Sequence, residues 1–190
     1  MTSKEYNLIF VHGFAASPQT NWFPFISKQL KSLKIAHQIP SLPDSHHPTA
    51  EDWINKIHQY VSSSRLPIVL IGHSLGCRAI LLYLEKYKTP IEAAFLIAPL
   101  NNQLSNAQRR EGKESTFFTH QIDLGEIRQY SRKWLIVHSL DDQILNYHDH
   151  ALSLQKDLKA ELITAEQRQH FLQSDHAPYI FSIIQAELGI

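Results

Sequence analysis

The run Gly72-His73-Ser74-Leu75-Gly76 sets a serine between two glycines. It follows the apolar stretch Ile68–Ile71 and precedes a segment whose apolar residues, Ile80, Leu84 and Tyr87, recur at helical spacing. A sharp strand-to-helix turn at this place lifts a hydroxyl clear of a sheet and holds it at a helix N-terminus, where developing negative charge is favoured. Backbone segments crowd such a turn, and Gly72 and Gly76 supply the small flanks it needs. Serine alone is a poor nucleophile near neutral pH, so it requires a base to take its proton and an acid to orient that base. The chemistry the pattern points to is acyl transfer through Ser74.

Where such a turn carries a triad, the partners follow in the order Ser…Asp/Glu…His. Of the twelve histidines, only His170 and His176 lie beyond the last strand-like run, Ala160–Thr164. His170 is favoured as the base, because a side chain in the loop soon after that run can reach back over the sheet edge. His176, just before Pro178, is the alternative. The segment Ser139-Leu140-Asp141-Asp142-Gln143-Ile144-Leu145, after the strand-like Trp134–Val137, offers two consecutive carboxylates, of which one is expected to face the imidazole. Asp142 is favoured, since Asp-x-apolar-apolar recurs after this strand in hydrolases of this topology; Asp141 is then a loop-organising or solvent-facing residue. Pro99-Leu100-Asn101-Asn102 holds no acid, which removes the other common position. Two donors are needed where negative charge develops on oxygen. The backbone N–H of Leu75 is one, and the N–H of Phe14, in the His12-Gly13-Phe14 loop after the first strand, is the other.

These residues must be positioned by a scaffold, and the hydrophobic pattern describes one. Short continuous apolar runs at Asn7–Val11, Ile68–Ile71, Ala93–Ala98 and Trp134–Val137 read as buried strands, with weaker ones at Ala36–Ile39 and Ala160–Thr164. Between them lie helical stripes: Phe23, Ile26, Leu30 and Leu33 through about Lys34; Trp53, Ile57, Tyr60 and Val61 with Thr49 as N-cap; and the helix after Ser74, ended by Thr89-Pro90. Leu152–Leu158 and the stripe of Phe181, Ile184 and Leu188 complete the set. The alternation predicts an α/β fold of about six mostly parallel strands with helices on both faces. The polar segment Asn101–Lys133 is read either as a surface connection with a short helix near Leu124–Tyr130 or as a small flap over the site.

The composition narrows the alternatives. The 190 residues carry 18 Lys+Arg against 18 Asp+Glu, for a formal net charge of zero, so no broad basic surface for nucleic acid is expected. The length suits one domain over residues 1–190. A single cysteine, Cys77, allows no internal disulfide and no cysteine-based zinc site, and is read as packing. His46-His47 and His148-x-His150 lack the further ligands of a metal site, so neither a metal nor a cofactor is expected. Met1–Tyr6 has no signal-peptide pattern and no apolar run approaches a membrane span, so the expected location is the cytoplasm. Trp22 is read as helix core or as a wall of the acyl or leaving-group pocket, and Arg109-Arg110 as a solvated face.

Over nearly its whole length the chain resembles the small serine hydrolases of the α/β-hydrolase superfamily grouped with retinoblastoma-binding protein 9, the YdeN-like type. The resemblance runs through Val11-His12-Gly13-Phe14, Ser17-Pro18, Asn21-Trp22-Phe23-Pro24, Leu42-Pro43-Asp44, Pro48-Thr49, the turn around Ser74, Ser139-Leu140-Asp141-Asp142 and His170-Phe171-Leu172. It implies a reduced α/β-hydrolase fold without a full cap domain, and a Ser74–Asp142–His170 triad acting on a small-molecule or acyl substrate. The alternative is a binding or scaffolding protein that keeps the fold without turnover. The family often has glycine where this chain has Gln169. Some relatives carry a Leu-x-Cys-x-Glu motif, but Leu75-Gly76-Cys77-Arg78-Ala79 ends in alanine, so a retinoblastoma-type partner is not supported.

Overall fold

The computed structural model describes residues 5–101 and 113–190. Six strands form one sheet: β1 (Asn7–Val11), β2 (Ala36–Gln38), β3 (Ile68–His73), β4 (Ile91–Ile97), β5 (Ser131–Ser139) and β6 (Glu161–Ala165). Their order is β2-β1-β3-β4-β5-β6, and every neighbouring pair is parallel. The helices are α1 (Phe23–Ser32), α2 (Ala50–Ser62), α3 (Leu75–Tyr87), α4 (Leu124–Ile127), α5 (Ser153–Leu158) and α6 (Ala177–Leu188).

Side chains on a strand alternate between faces, and here both faces are dry. Ile9 and Val11 of β1 join Trp53 and Ile57 of α2 and Ile80 and Leu84 of α3 in one core. Leu8 and Phe10 of the same strand join Phe23 and Ile26 of α1 and Ile180 and Ile184 of α6 in the other. This double burial is why the strands read as unbroken apolar runs. The α2 N-terminus is capped as expected, with the Asp52 N–H donating to Thr49 Oγ1 at 3.2 Å.

The strand order reverses direction once. The chain leaves β1 toward β2 and then steps back past β1 to β3, so the topological switch point lies at the carboxyl ends of β1 and β3. The Gly13–Phe14 loop and Ser74 follow those two ends.

Strand β5 is longer than its apolar kernel, because the polar residues Ser131 and Lys133 still pair with Ile91 and Ala93 of β4. The segment predicted as a connection or flap is packed where it is described. A 3-10 helix at Lys113–Phe118 places Phe117 edge-on against Trp53 at 5.3 Å between ring centroids. The buried Arg78 of α3 donates to the carbonyls of Phe117 at 2.9 Å and His120 at 3.0 Å. A short helix does form near Leu124–Tyr130. Arg109, Arg110 and the rest of 102–112 lie outside the described residues. No cap domain is present among the described residues, and no helix there is long and apolar enough to cross a membrane.

Candidate active site

Ser74 stands alone between β3 and α3, with φ 52° and ψ −121°. A side-chain-bearing residue in such a region costs about 1–3 kcal/mol and persists only where its surroundings over-determine it. They do so here: the Ser74 N–H donates to the Ile97 carbonyl at 3.0 Å, and its own carbonyl accepts from Cys77 N–H at 2.9 Å. The flanking glycines serve close approach. A Cβ on Gly76 would lie 2.2 Å from the Val11 carbonyl oxygen, and one on Gly72 would lie 2.8 Å from the Cys77 backbone. A Cβ on Gly13 would lie 3.1 Å from Ser74 Cβ, so the loop after β1 runs directly against the serine.

The structure brings Ser74, His170 and Asp142 into one hydrogen-bonded line. His170 Nε2 is 2.9 Å from Ser74 Oγ, and His170 Nδ1 is 2.7 Å from Asp142 Oδ2. A carboxylate accepts, so Nδ1 carries the proton and Nε2 presents its lone pair to the serine hydroxyl. The other carboxylate oxygen, Oδ1, accepts the N–H groups of Ile144 at 2.8 Å and Leu145 at 2.9 Å. Burial by itself would raise the Asp142 carboxyl. The His138 imidazole close to Oδ2, the hydrogen bond and charge of His170 and the Leu145 N–H outweigh it and hold the group well below the usual carboxylate range.

Other side chains hold this line in place. Buried His12 sets the loop after β1: its Nδ1–H donates to the Gly13 carbonyl at 3.0 Å, and its Nε2 accepts from Leu42 N–H at 3.1 Å. Burial lowers the His12 pKa against the opposing Gly13 hydrogen bond. In a trans peptide C=O and N–H point in opposite directions, so turning the Gly13 carbonyl toward His12 turns the Phe14 N–H away from it. The Leu75 N–H occupies the first position of α3, where no intrahelical acceptor exists. Asp141 organises the next loop, accepting from Ser139 Oγ and from the N–H groups of Arg168 and Gln169 at 3.3 and 3.1 Å.

The structure also places the other residues that the sequence brings into question. His176 sits at the start of α6, buried against Phe171, with its Nε2 3.7 Å from Asp175, and is not part of the line. Trp22 contributes no accessible surface and packs edge-on against Phe10 and His73 and at a tilt against Phe23, so it is core rather than a pocket wall. Cys77 is buried with its thiol donating to the Ile97 carbonyl at 3.4 Å, and burial pushes its pKa up. His150 turns inward and accepts the Asn101 N–H at 3.1 Å, while His148 stays exposed. Among the described residues, no group of three or more His, Cys, Asp or Glu could hold a metal.

Besides His12, two further supporting histidines are not singled out by the sequence motifs. His73 donates from Nε2 to the His170 carbonyl at 2.9 Å, and His138 of β5 approaches Asp142 Oδ2 at 3.4 Å. The available signal was a polar imidazole inside, or at the end of, an otherwise apolar strand run.

Residues 8–181 match the model of the family described as Serine hydrolase. YdeN of Bacillus subtilis (strain 168) is 26% identical over 189 residues, spanning 97% of this chain and 95% of YdeN. The crystal structure of the ydeN gene product superposes with a TM-score of 0.84 at 24% identity, covering 98% of this chain and all of that one. Est1E from Butyrivibrio proteoclasticus gives 0.75 at 16% identity, covering 98% and 88%. The esterase domain of a Rhodothermus marinus protein gives 0.71 at 20% identity, again covering 98% and 88%.

Proposed function

Because the chain belongs to the Serine hydrolase family, we propose that it cleaves an ester, thioester or activated amide through an acyl-enzyme on Ser74. The observation that carries this reading is the unbroken line from Ser74 Oγ through His170 to Asp142. In the first half-reaction Ser74 Oγ attacks the carbonyl carbon while His170 Nε2 takes the hydroxyl proton. His170 then gives that proton to the leaving group as the carbonyl–leaving-group bond breaks. In the second half-reaction water attacks the acyl carbon, His170 takes and returns a proton, and Ser74 is freed as the acid product departs. Asp142 holds the Nδ1–H tautomer and stabilises the imidazolium. The N–H groups of Leu75 and Phe14 face the developing oxyanion, each worth about 10²–10³ in rate.

The surroundings favour an apolar acyl or alcohol portion. Leu140, Ile144 and Leu172 are exposed, and each lies within two residues of Asp142 or His170. Leu33 is the remaining large exposed apolar side chain among the described residues.

The test is labelling by a fluorophosphonate probe, together with hydrolysis of model esters of graded acyl length. Wild type labels and hydrolyses; Ser74→Ala does neither. Labelling that persists unchanged in Ser74→Ala overturns the assignment of the nucleophile.

A further inference from the structure

His138 takes no part in the reaction just described, yet it is fully buried on β5, four residues before Asp142. Its Nε2 lies 2.9 Å from the Leu145 carbonyl oxygen and 3.4 Å from Asp142 Oδ2. Both neighbours are acceptors, so Nε2 carries a proton, bonded to the Leu145 carbonyl and held close to Oδ2. The buried Nδ1 has no hydrogen-bond partner among the described residues, which leaves it as the unprotonated nitrogen.

The contacts close a ring around the carboxylate. Asp142 Oδ1 accepts the Leu145 N–H, the Leu145 carbonyl accepts from His138, and His138 reaches Asp142 Oδ2. That Oδ2 is the atom that also takes the His170 Nδ1–H at 2.7 Å.

We propose that His138 is a positioning residue for the hydrolysis: its Nε2–H fixes the rotamer of Asp142 and draws off part of the negative charge that Asp142 presents to His170. The inference rests on Asp142 and His170 acting as described above. Its consequence has a definite sign. Removing the donor leaves more charge on Oδ2, which stabilises the imidazolium of His170 and makes the free base scarcer at low pH.

The other groups near His138 do not produce the same effect. The Tyr147 ring meets it edge-on at 5.9 Å, with the Tyr147 hydroxyl bonded to Thr164 Oγ1. His150 also lies in its field, with Asp149 beside it, but burial pushes the His150 pKa down to about 4, so that ring stays neutral at mildly acid pH.

The experiment measures the second-order rate of fluorophosphonate labelling against pH, a readout that needs no knowledge of the natural substrate. His138→Phe keeps a ring without a donor, and His138→Gln returns an N–H to the same region. In His138→Phe the acid limb of the profile moves up by roughly half a pH unit and the plateau rate falls about 10-fold, with His138→Gln recovering most of both. An acid limb in His138→Phe that coincides with wild type overturns the inference. Absence of labelling in wild type refutes the role of Ser74 instead. Should His138→Phe fail to fold, the residue-assigned ¹⁵N imidazole spectrum of the wild-type protein decides. Protonation at Nε2, with a signal that shifts in Asp142→Asn, supports the inference; protonation at Nδ1 alone overturns it.

Discussion

His73 Nε2 donates to the backbone carbonyl of His170 at 2.9 Å, across 97 positions of sequence. The residue before the serine therefore holds the residue that the serine bonds, and the turn after β3 and the loop after β6 are set as one unit. Burial first, and then the charge of His170, push the His73 pKa down to about 3, so the ring remains a neutral donor throughout the working range. His73→Phe is expected to lower kcat on a model ester about 10- to 100-fold with KM nearly unchanged, since misplacing a base affects the reaction more than the binding. Stability should fall by about 1–3 kcal/mol in urea denaturation, the cost of an unsatisfied buried carbonyl. An unchanged kcat would show that the loop is held by other contacts.

The two adjacent aspartates separate by function. Asp142→Asn leaves the geometry near native but no longer holds the proper tautomer, and kcat is expected to drop about 10⁴-fold. Asp141→Ala removes the acceptor for Ser139 Oγ and for the Arg168 and Gln169 N–H groups. Its effect reaches the reaction only through the loop, so a loss of about 10- to 100-fold is expected. Steady-state kinetics of the two variants side by side checks the assignment; equal losses would contradict it.

How far the sequence disclosed this arrangement depends on what each residue is asked to do. The buried parallel strands and the serine turn were legible, because continuous apolar runs and the glycine pair are direct imprints of double burial and close approach. His170 is separable from His176 by its place in a loop and by the family likeness at His170-Phe171-Leu172, and in the structure one imidazole meets Ser74 while the other meets Phe171 and Asp175. His12, His73 and His138 were not legible as a supporting set. Each acts through a backbone carbonyl or a shared carboxylate oxygen brought near by the fold, and such pairings leave no periodicity. Gln169 shows the limit from the other side. Glycine is common there in the family, and this chain holds glutamine at φ 47°, with its N–H fixed by Asp141.

The crowding of the serine turn makes a stability prediction. In Gly76→Ala the new methyl must displace the backbone carbonyls of Val11 and His12, at 2.2 and 2.6 Å. No side-chain rotation relieves that contact, because the opposing atoms are backbone. A loss of about 3 kcal/mol or more is expected, beyond an ordinary surface substitution. A urea midpoint within error of wild type would mean that α3 can slide away from β1.

Acid sensitivity follows from the buried imidazoles. The His73 pKa is pushed down from 6.5 to about 3 and that of His150 to about 4, in both cases chiefly by burial. The unfolded chain therefore binds protons at these sites that the folded chain refuses, and stability must fall as pH drops below the unfolded value of 6.5. The lowered Asp142 carboxyl acts in the same direction at more acid pH, once the unfolded carboxyl begins to protonate. For His73 alone the loss between about pH 7 and about pH 5 is on the order of 2 kcal/mol, with His150 adding to it. Urea unfolding at those two values should show the midpoint moving to lower denaturant at the lower pH. Replacing His73 by a group that does not titrate should flatten that dependence. A midpoint that holds steady or rises on acidification would mean that these rings gain a proton in the folded state at little cost.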